Sequence, residues 1–159
     1  MIQYHAAMGV SPLAAWQTIN ERDCFLQGFV MALTALEQWE LTLKTALDSI
    51  DALLENKYGP LLVRKASRPA AGKASNPKYD GVFGIDSKFT LGYASGSGPG
   101  YIIELLTGCV PPLPSAMKTE ILDDLEKMLP DVLAASFPGK TFNIERIGER
   151  FRLTGDLGF

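Results

Sequence analysis

Histidine and cysteine are scarce in this chain of 159 residues, which contains one histidine, His5, and two cysteines, Cys24 and Cys109. A single histidine close to the N-terminus gives no well-ordered position for a Ser-His-Asp or Cys-His catalytic group. A structural zinc site needs about four cysteine or histidine ligands, and the chain has too few. Both cysteines lie in apolar surroundings, so we interpret them as buried free thiols of a cytoplasmic protein.

Long apolar runs are also missing. The longest, Cys24 to Leu36, has about 13 residues and contains polar interruptions, whereas a helix that crosses a bilayer needs about 20. The N-terminal residues lack the basic start and apolar centre of a secretory signal. The net charge of −3 gives no overall attraction to nucleic acid or to an anionic membrane. These absences predict a soluble, cytoplasmic protein without a membrane partner.

Acidic residues are absent from one segment, residues 64–78, although it carries five of the chain's 15 lysine and arginine residues. These five cations are Arg64, Lys65, Arg68, Lys73 and Lys78. The remaining composition, rich in Ala, Ser, Gly and Pro, is typical of a flexible loop. The cations could bind nucleic-acid phosphates in a salt-dependent way, although the segment has no aromatic residue for base stacking. The alternative interpretation is a loop that serves only solubility.

The N-terminal third shows helical periodicity. A short helix is predicted from Ser11, and a second, long stretch runs from Asn20 until the sequence Tyr58-Gly59-Pro60 ends it. This region is therefore one long helix or a helical hairpin. Apolar residues three or four positions apart form one stripe, namely Leu36, Trp39, Leu43, Leu47, Ile50 and Leu54. Charged residues repeat these spacings and are expected on the opposite, solvent side, namely Glu37, Glu40, Lys44, Asp48, Asp51 and Glu55.

The apolar stripe must be buried against another surface, which we call its cover, and two covers fit it. One is the sheet of the same domain. The other is a second copy of the chain or a partner helix, because the near-heptad spacing suits a coiled-coil seam.

The central and C-terminal parts alternate between strand and helix signals. Residues 81–93 have the period of two that is typical of strands. Residues 101–107 could form a helix or a strand, and their Tyr-Ile-Ile start and the Gly108 that ends them favour a strand. We expect an antiparallel hairpin that places Glu104 opposite Thr90. A helix is predicted from Ser115 and a second, short helix from Pro130. Residues 141–154 are predicted to form a hairpin turning at Gly148. Since regular helices do not separate the strands, the sequence predicts a single α+β domain over residues 1–159.

A glycine-rich segment, GSGPGY from Gly96 to Tyr101, separates the two central strands. It resembles the first motif of S-adenosylmethionine-dependent methyltransferases, in which a strand ends in a glycine loop and a helix follows. The resemblance implies that Gly96, Gly98 and Gly100 let the backbone approach S-adenosylmethionine. The alternative is a hairpin connection, which the β-branched residues that follow the loop favour.

The sequence Asp86-Ser87-Lys88 matches the D-x-K half of a nuclease signature. In that chemistry two acidic side chains bind Mg²⁺ and the lysine positions or activates water. Asp86 and Glu104 are the candidate metal ligands here, and Lys88 completes the candidate catalytic group. The alternative is a solvated strand face whose charges form weak ion pairs.

No combination of acid, base, nucleophile and cofactor loop is complete in this sequence. Our leading expectation is therefore a small binding protein without a cofactor, which acts through protein–protein contacts and self-associates through the long helix. The alternative is a Mg²⁺-dependent nuclease or phosphodiesterase that uses Asp86, Lys88 and Glu104. A third hypothesis is S-adenosylmethionine binding at the loop from Gly96 to Gly100.

Overall fold

The computed structural model of the chain describes residues 34–92, 96 and 98–157. Two helices and four strands follow in the order α1 (Ala35–Tyr58), β1 (Phe83–Thr90), β2 (Gly100–Thr107), α2 (Ser115–Ser136), β3 (Phe142–Ile147) and β4 (Arg150–Gly155). Residues from Ala35 onward form one compact unit. The predicted α+β class is confirmed. The helix predicted from Ser11, and with it the extent of a single domain over residues 1–159, lies outside the described residues.

The strands form one antiparallel sheet in the order β1-β2-β4-β3. The central hairpin of β1 and β2 is confirmed. The C-terminal hairpin is confirmed as well, and it places Glu145 opposite Arg152.

The register of the central hairpin differs from the predicted one. Glu104 lies opposite Asp86 and not opposite Thr90. The strand stops earlier than predicted, at Thr90, and two residues later Gly92 has a φ of +69°, outside the extended conformation. The connection to β2 is correspondingly longer, and every cross-strand pair moves.

The core lies between the two helices and one face of the sheet. Within α1, five of the six stripe residues are buried, and Leu36 is exposed. Two contacts show that the helices run antiparallel. The hydroxyl of Tyr58, at the end of α1, donates to Asp124 in the first half of α2, and Trp39, near the start of α1, stacks on Phe137, directly after α2. The stripe therefore packs within the same chain, which agrees with the first of the two predicted covers, the sheet of the same domain.

The C-terminal helical region is one helix and not two. Helix α2 continues through Pro130, although proline has no N–H to donate to the carbonyl four residues earlier. Leu129 and Leu133 are both buried on either side of it, and their packing keeps the helix continuous. The helix begins at Ser115, as predicted, and Pro114 occupies the N-cap position.

Candidate functional site

The three residues of the nuclease hypothesis meet on the sheet face that points away from the helices. Asp86 in β1 lies opposite Glu104 in β2. The Lys88 Nζ lies 3.6 Å from the Asp86 Oδ2 and 3.3 Å from the Glu104 Oε2. The lysine thus bridges the two carboxylates.

Two further cations complete this ion-pair network, which consists of Lys78, Asp86, Lys88, Glu104 and Arg150. The Lys78 Nζ lies 2.7 Å from the Asp86 Oδ1, and the Arg150 Nε lies 2.8 Å from the Glu104 Oε1. Partial burial tends to raise the pKa of Asp86. The hydrogen bond from Lys78 and the charges of Lys78 and Lys88 outweigh this effect and hold that pKa below its ordinary value.

In the ion-pair network, three cations neutralise the charges of the two carboxylates. Asp86 and Glu104 are the residues that could hold a divalent cation, but Lys88 lies between them and would have to move. Between residues 34 and 157, as far as they are described, no cluster of three or more His, Cys, Asp or Glu side chains suits a metal ion.

The basic segment is partly built into the fold through Arg68. Its guanidinium donates to the backbone carbonyls of Gly81, Asp80 and Phe83 at 3.0, 2.7 and 2.9 Å, and to that of Lys78 at 3.2 Å. Arg68 therefore holds the segment together and does not present its donors to a ligand. Lys78 is engaged in the ion-pair network, which leaves Arg64, Lys65 and Lys73 as exposed cations.

The segment also packs closely on the sheet at Gly84. A Cβ at this position would lie 2.3 Å from the carbonyl oxygen of Lys78, so only glycine allows the approach.

Three acidic side chains lie beside this segment, and we call Asp51, Glu55 and Asp80 the buried carboxylates, although Glu55 is only half-buried. Glu55 accepts hydrogen bonds from the backbone N–H groups of Val82 and Phe83 at 2.9 and 3.1 Å. Asp80 accepts one from the N–H of Ala74 at 3.0 Å. In both cases, backbone N–H groups take the place of the water that would solvate an exposed carboxylate.

Asp51 is the exception among the buried carboxylates. It is only 7% exposed, and its Oδ1 has no hydrogen-bond donor among the described residues. Burial, followed by the charges of Glu55 and Asp80, raises the pKa of Asp51 to about 7. Placing Asp51 on the solvent side of the helix was wrong, because it lies four residues from Leu47 and three from Leu54, on the buried face.

The glycine loop is a hairpin connection. A strand begins at Gly100, where the methyltransferase resemblance implies a helix. Gly96 and Gly98 have φ values of +66° and +74°, and the Gly98 carbonyl accepts a hydrogen bond from Arg152 at 2.6 Å. A Cβ on Gly100 would lie 2.7 Å from the Leu153 carbonyl oxygen. Turn geometry and close packing thus account for all three glycines.

Sequence reasoning missed an exposed apolar surface at one end of the sheet. We call it the aliphatic patch, and its members are Leu61, Val63, Val110, Pro111 and Pro112. Leu61 and Val63 are each 67% exposed, and Val110 is 50% exposed. The Val110 N–H donates to the Val63 carbonyl at 2.7 Å, which joins the two halves of the patch. The signal in the sequence is an apolar run, Leu61 to Val63, directly after Gly-Pro.

Comparison with known proteins places the chain in a family. A family model described as "Uncharacterised protein" matches residues 34–155. A protein of Borreliella burgdorferi, also described as uncharacterized, is 30% identical over 131 residues, which cover 79% of this chain and 98% of that protein. No solved structure matches the chain. The matched region runs from the start of α1 to the end of β4, and the chain belongs to this family of uncharacterised proteins.

Proposed function

We propose that the protein works by binding another protein through the aliphatic patch. The observation that carries this proposal is the exposure of Leu61, Val63 and Val110 side by side. Large aliphatic side chains that are grouped on a surface mark interaction sites more often than single ones do. Covering one valine or leucine side chain contributes about 1.5 to 3 kcal/mol, so a partner that covers all three gains substantially.

The patch is held in shape before any partner arrives. Arg64 and Cys109 form a short antiparallel bridge, and hydrogen bonds flank it on both sides. Leu62, between the two exposed aliphatic residues, packs against the core and anchors the segment. A preformed surface loses little conformational entropy on binding, which favours affinity.

Self-association belongs to the same proposal, with a restriction that follows from the fold. The stripe of α1 is core, so a second copy cannot use it without unfolding the chain. Leu36, Leu41 and Leu53 are exposed apolar residues of α1 through which the helix could contact a second copy. We place the protein in the cytoplasm, which the buried free thiol of Cys109 supports. None of the helices that the structure describes is long and apolar enough to cross a membrane.

The test compares Val63→Asp with Leu41→Asp, because both positions are exposed and both changes replace an aliphatic side chain with a carboxylate. Proteins captured from an extract of the source cells by the wild type would be purified, and their affinity for each variant measured by calorimetry. We expect Val63→Asp to weaken binding at least tenfold and Leu41→Asp to leave it unchanged. The reverse pattern would move the binding surface to α1, and equal affinities for all three proteins would refute the proposal.

A Mg²⁺-dependent nuclease or phosphodiesterase remains the second candidate, and one observation favours it, which is that Asp86, Lys88 and Glu104 converge. The additional ion pairs from Lys78 and Arg150 oppose it. If Mg²⁺ binds between the carboxylates, it should raise the melting temperature of the wild type but not that of Asp86→Asn, and nucleic acid should be cleaved only with the metal present. An unchanged melting temperature and intact nucleic acid would remove this candidate.

A further inference from the structure

The cations beside the aliphatic patch indicate what kind of partner it binds. Lys65 follows Val63 by two positions and is exposed. Its N–H donates to the Gly108 carbonyl at 2.8 Å, which fixes its backbone next to the patch. In an extended segment, side chains two residues apart lie on the same side, so Lys65 lies beside Val63. Arg64, between them, is exposed as well.

The positive charge here is not balanced by acidic residues nearby in the sequence. No acidic residue occurs from Asn56 to Tyr79. The acidic residues that border this stretch, Glu55 and Asp80, are committed to backbone N–H groups. Arg64 donates to the carbonyls of Lys65 and Arg68, which are neutral acceptors and leave its charge in place.

The whole chain shows the same segregation of charge. The two helices carry ten acidic residues and four lysines, a balance of −6. Residues 59–114 and 137–157 carry ten basic and six acidic residues, a balance of +4. The patch lies in the positive part, so a negatively charged surface is attracted to it and a positively charged one is repelled.

We infer that the aliphatic patch binds a protein segment in which acidic residues alternate with aliphatic ones. This inference rests on the proposed function and specifies its partner. Aliphatic side chains would enter the patch, while carboxylates would pair with Lys65. A nucleic acid fits less well, because the patch has no aromatic side chain on which a base could stack.

The experiment uses three synthetic peptides of equal length, in which leucine and valine alternate with glutamate, with serine or with lysine. Binding is followed through the methyl resonances of Leu61, Val63 and Val110. We expect the glutamate peptide to shift these resonances and to bind about tenfold more tightly than the serine peptide, with an affinity that falls as salt is added. The lysine peptide should bind most weakly.

A matched pair of variants tests the role of Lys65. Lys65→Glu should lower the affinity for the glutamate peptide about tenfold and raise that for the lysine peptide. Lys127→Glu, an equally exposed substitution on α2, should change neither affinity. If the two substitutions have equal effects, the preference for the glutamate peptide depends only on the overall charge of the protein, and the assignment of Lys65 is overturned.

The remaining outcomes separate the inference from the proposed function. If the serine peptide binds as tightly as the glutamate peptide, the acidic partner is wrong while the protein-binding patch stands. Displacement of the glutamate peptide by single-stranded RNA at the same methyl groups would assign the surface to nucleic acid. Changes of the same resonances on dilution, without any peptide, would identify a second copy as the occupant. If none of the peptides binds, the inference fails, and the calorimetric comparison of Val63→Asp decides the proposed function by itself.

Discussion

The ion-pair network and the buried carboxylates both contain acidic side chains, but their charges differ in sign. Cations outnumber carboxylates in the network, whereas carboxylates outnumber the nearby cation among the buried carboxylates. In the network, two carboxylates contact three cations across neighbouring strands. Among the buried carboxylates, Glu55 and Asp80 contact backbone N–H groups, and the nearby Arg68 donates to carbonyls instead. The pKa of Asp86 is consequently lowered and that of Asp51 is raised. Burial and partners, more than residue type, determine whether a carboxylate stabilises this fold or strains it.

The largest expected effect comes from removing the cation near the buried carboxylates. Arg68→Met leaves the carbonyls of Gly81, Asp80 and Phe83, together with that of Lys78, without their donor. We expect the free energy of unfolding to fall by about 4 kcal/mol, measured by urea denaturation, because each lost bond leaves a partly buried acceptor unsatisfied. Lys73→Met, a change at an exposed lysine of the same segment, is the control and should cost little. A loss of stability equal to that of the control would contradict the anchoring role of Arg68.

The next effect is a stabilisation, and it depends on pH. The pKa of Asp51 is about 7 in the folded protein and 3.8 as its ordinary value, so the folded state binds the proton more tightly than the unfolded state does. The stability of the wild type therefore declines as the pH rises from about 4 to about 7. Asp51→Asn removes this penalty and should be more stable than the wild type by up to about 4 kcal/mol at pH 8.

The comparison for Asp51 is the difference between two unfolding curves, since other groups titrate in both proteins. At pH 4 the wild type carries a neutral Asp51, and the advantage of the asparagine variant should disappear. Chemical denaturation at a series of pH values gives the difference directly. An advantage that is the same at pH 4 and pH 8 would mean that Asp51 does not titrate in this range.

The stability that the ion-pair network contributes should depend on pH in the direction opposite to that expected for Asp51. Because the pKa of Asp86 is lowered in the folded state, its contribution is present above the ordinary value and is lost as the pH falls through the folded value. Asp86→Asn should therefore cost about 1 kcal/mol at pH 7, since partial exposure weakens these pairs, and less at pH 2, below the ordinary pKa. Thermal unfolding at the two pH values would show it, and a gain in stability at pH 7 would indicate that repulsion from Glu104 dominates.

The smallest effect is expected at Lys88, whose ammonium group is the most exposed partner of Asp86. Lys88→Ala should change the free energy of unfolding by less than about 0.5 kcal/mol. Lys78→Ala is the matched change, and it should cost more because the Lys78 ion pair is shorter and less exposed. If both variants lose the same stability, the two lysines are equivalent partners of Asp86.

Much of the fold follows from patterns within single elements. The stripe of α1, the alternation of β1 and the turn at Gly148 each show in the sequence which residues are buried or where the chain reverses. The register of β1 against β2 does not, because it depends on where β1 ends and β2 begins, at Thr90 and Gly100. Three residues of the ion-pair network were recognised as a group, but the pairing of Asp86 with Lys78 requires the basic segment to lie on the sheet.

The aliphatic patch shows a second reason why sequence reasoning fell short. Leu61, Leu62 and Val63 are chemically alike, yet only Leu62 packs against the core. Which of them is exposed depends on the bridge between Arg64 and Cys109, a contact between residues 45 positions apart. The pKa of Asp51 depends in the same way on the charges of Asp80 and Arg68, which are distant in sequence.

The stacking of Trp39 between Tyr101 and Phe137 has a consequence for the order of events during synthesis. The first and last of these rings are separated by almost the whole described length of the chain. Helix α1 leaves the ribosome long before α2, and until then its buried face has only the β-hairpin to cover it. At about 5 to 20 residues per second, the interval between Trp39 and Phe137 amounts to several seconds. During that time the buried face of α1 lacks the cover that α2 gives it in the folded chain.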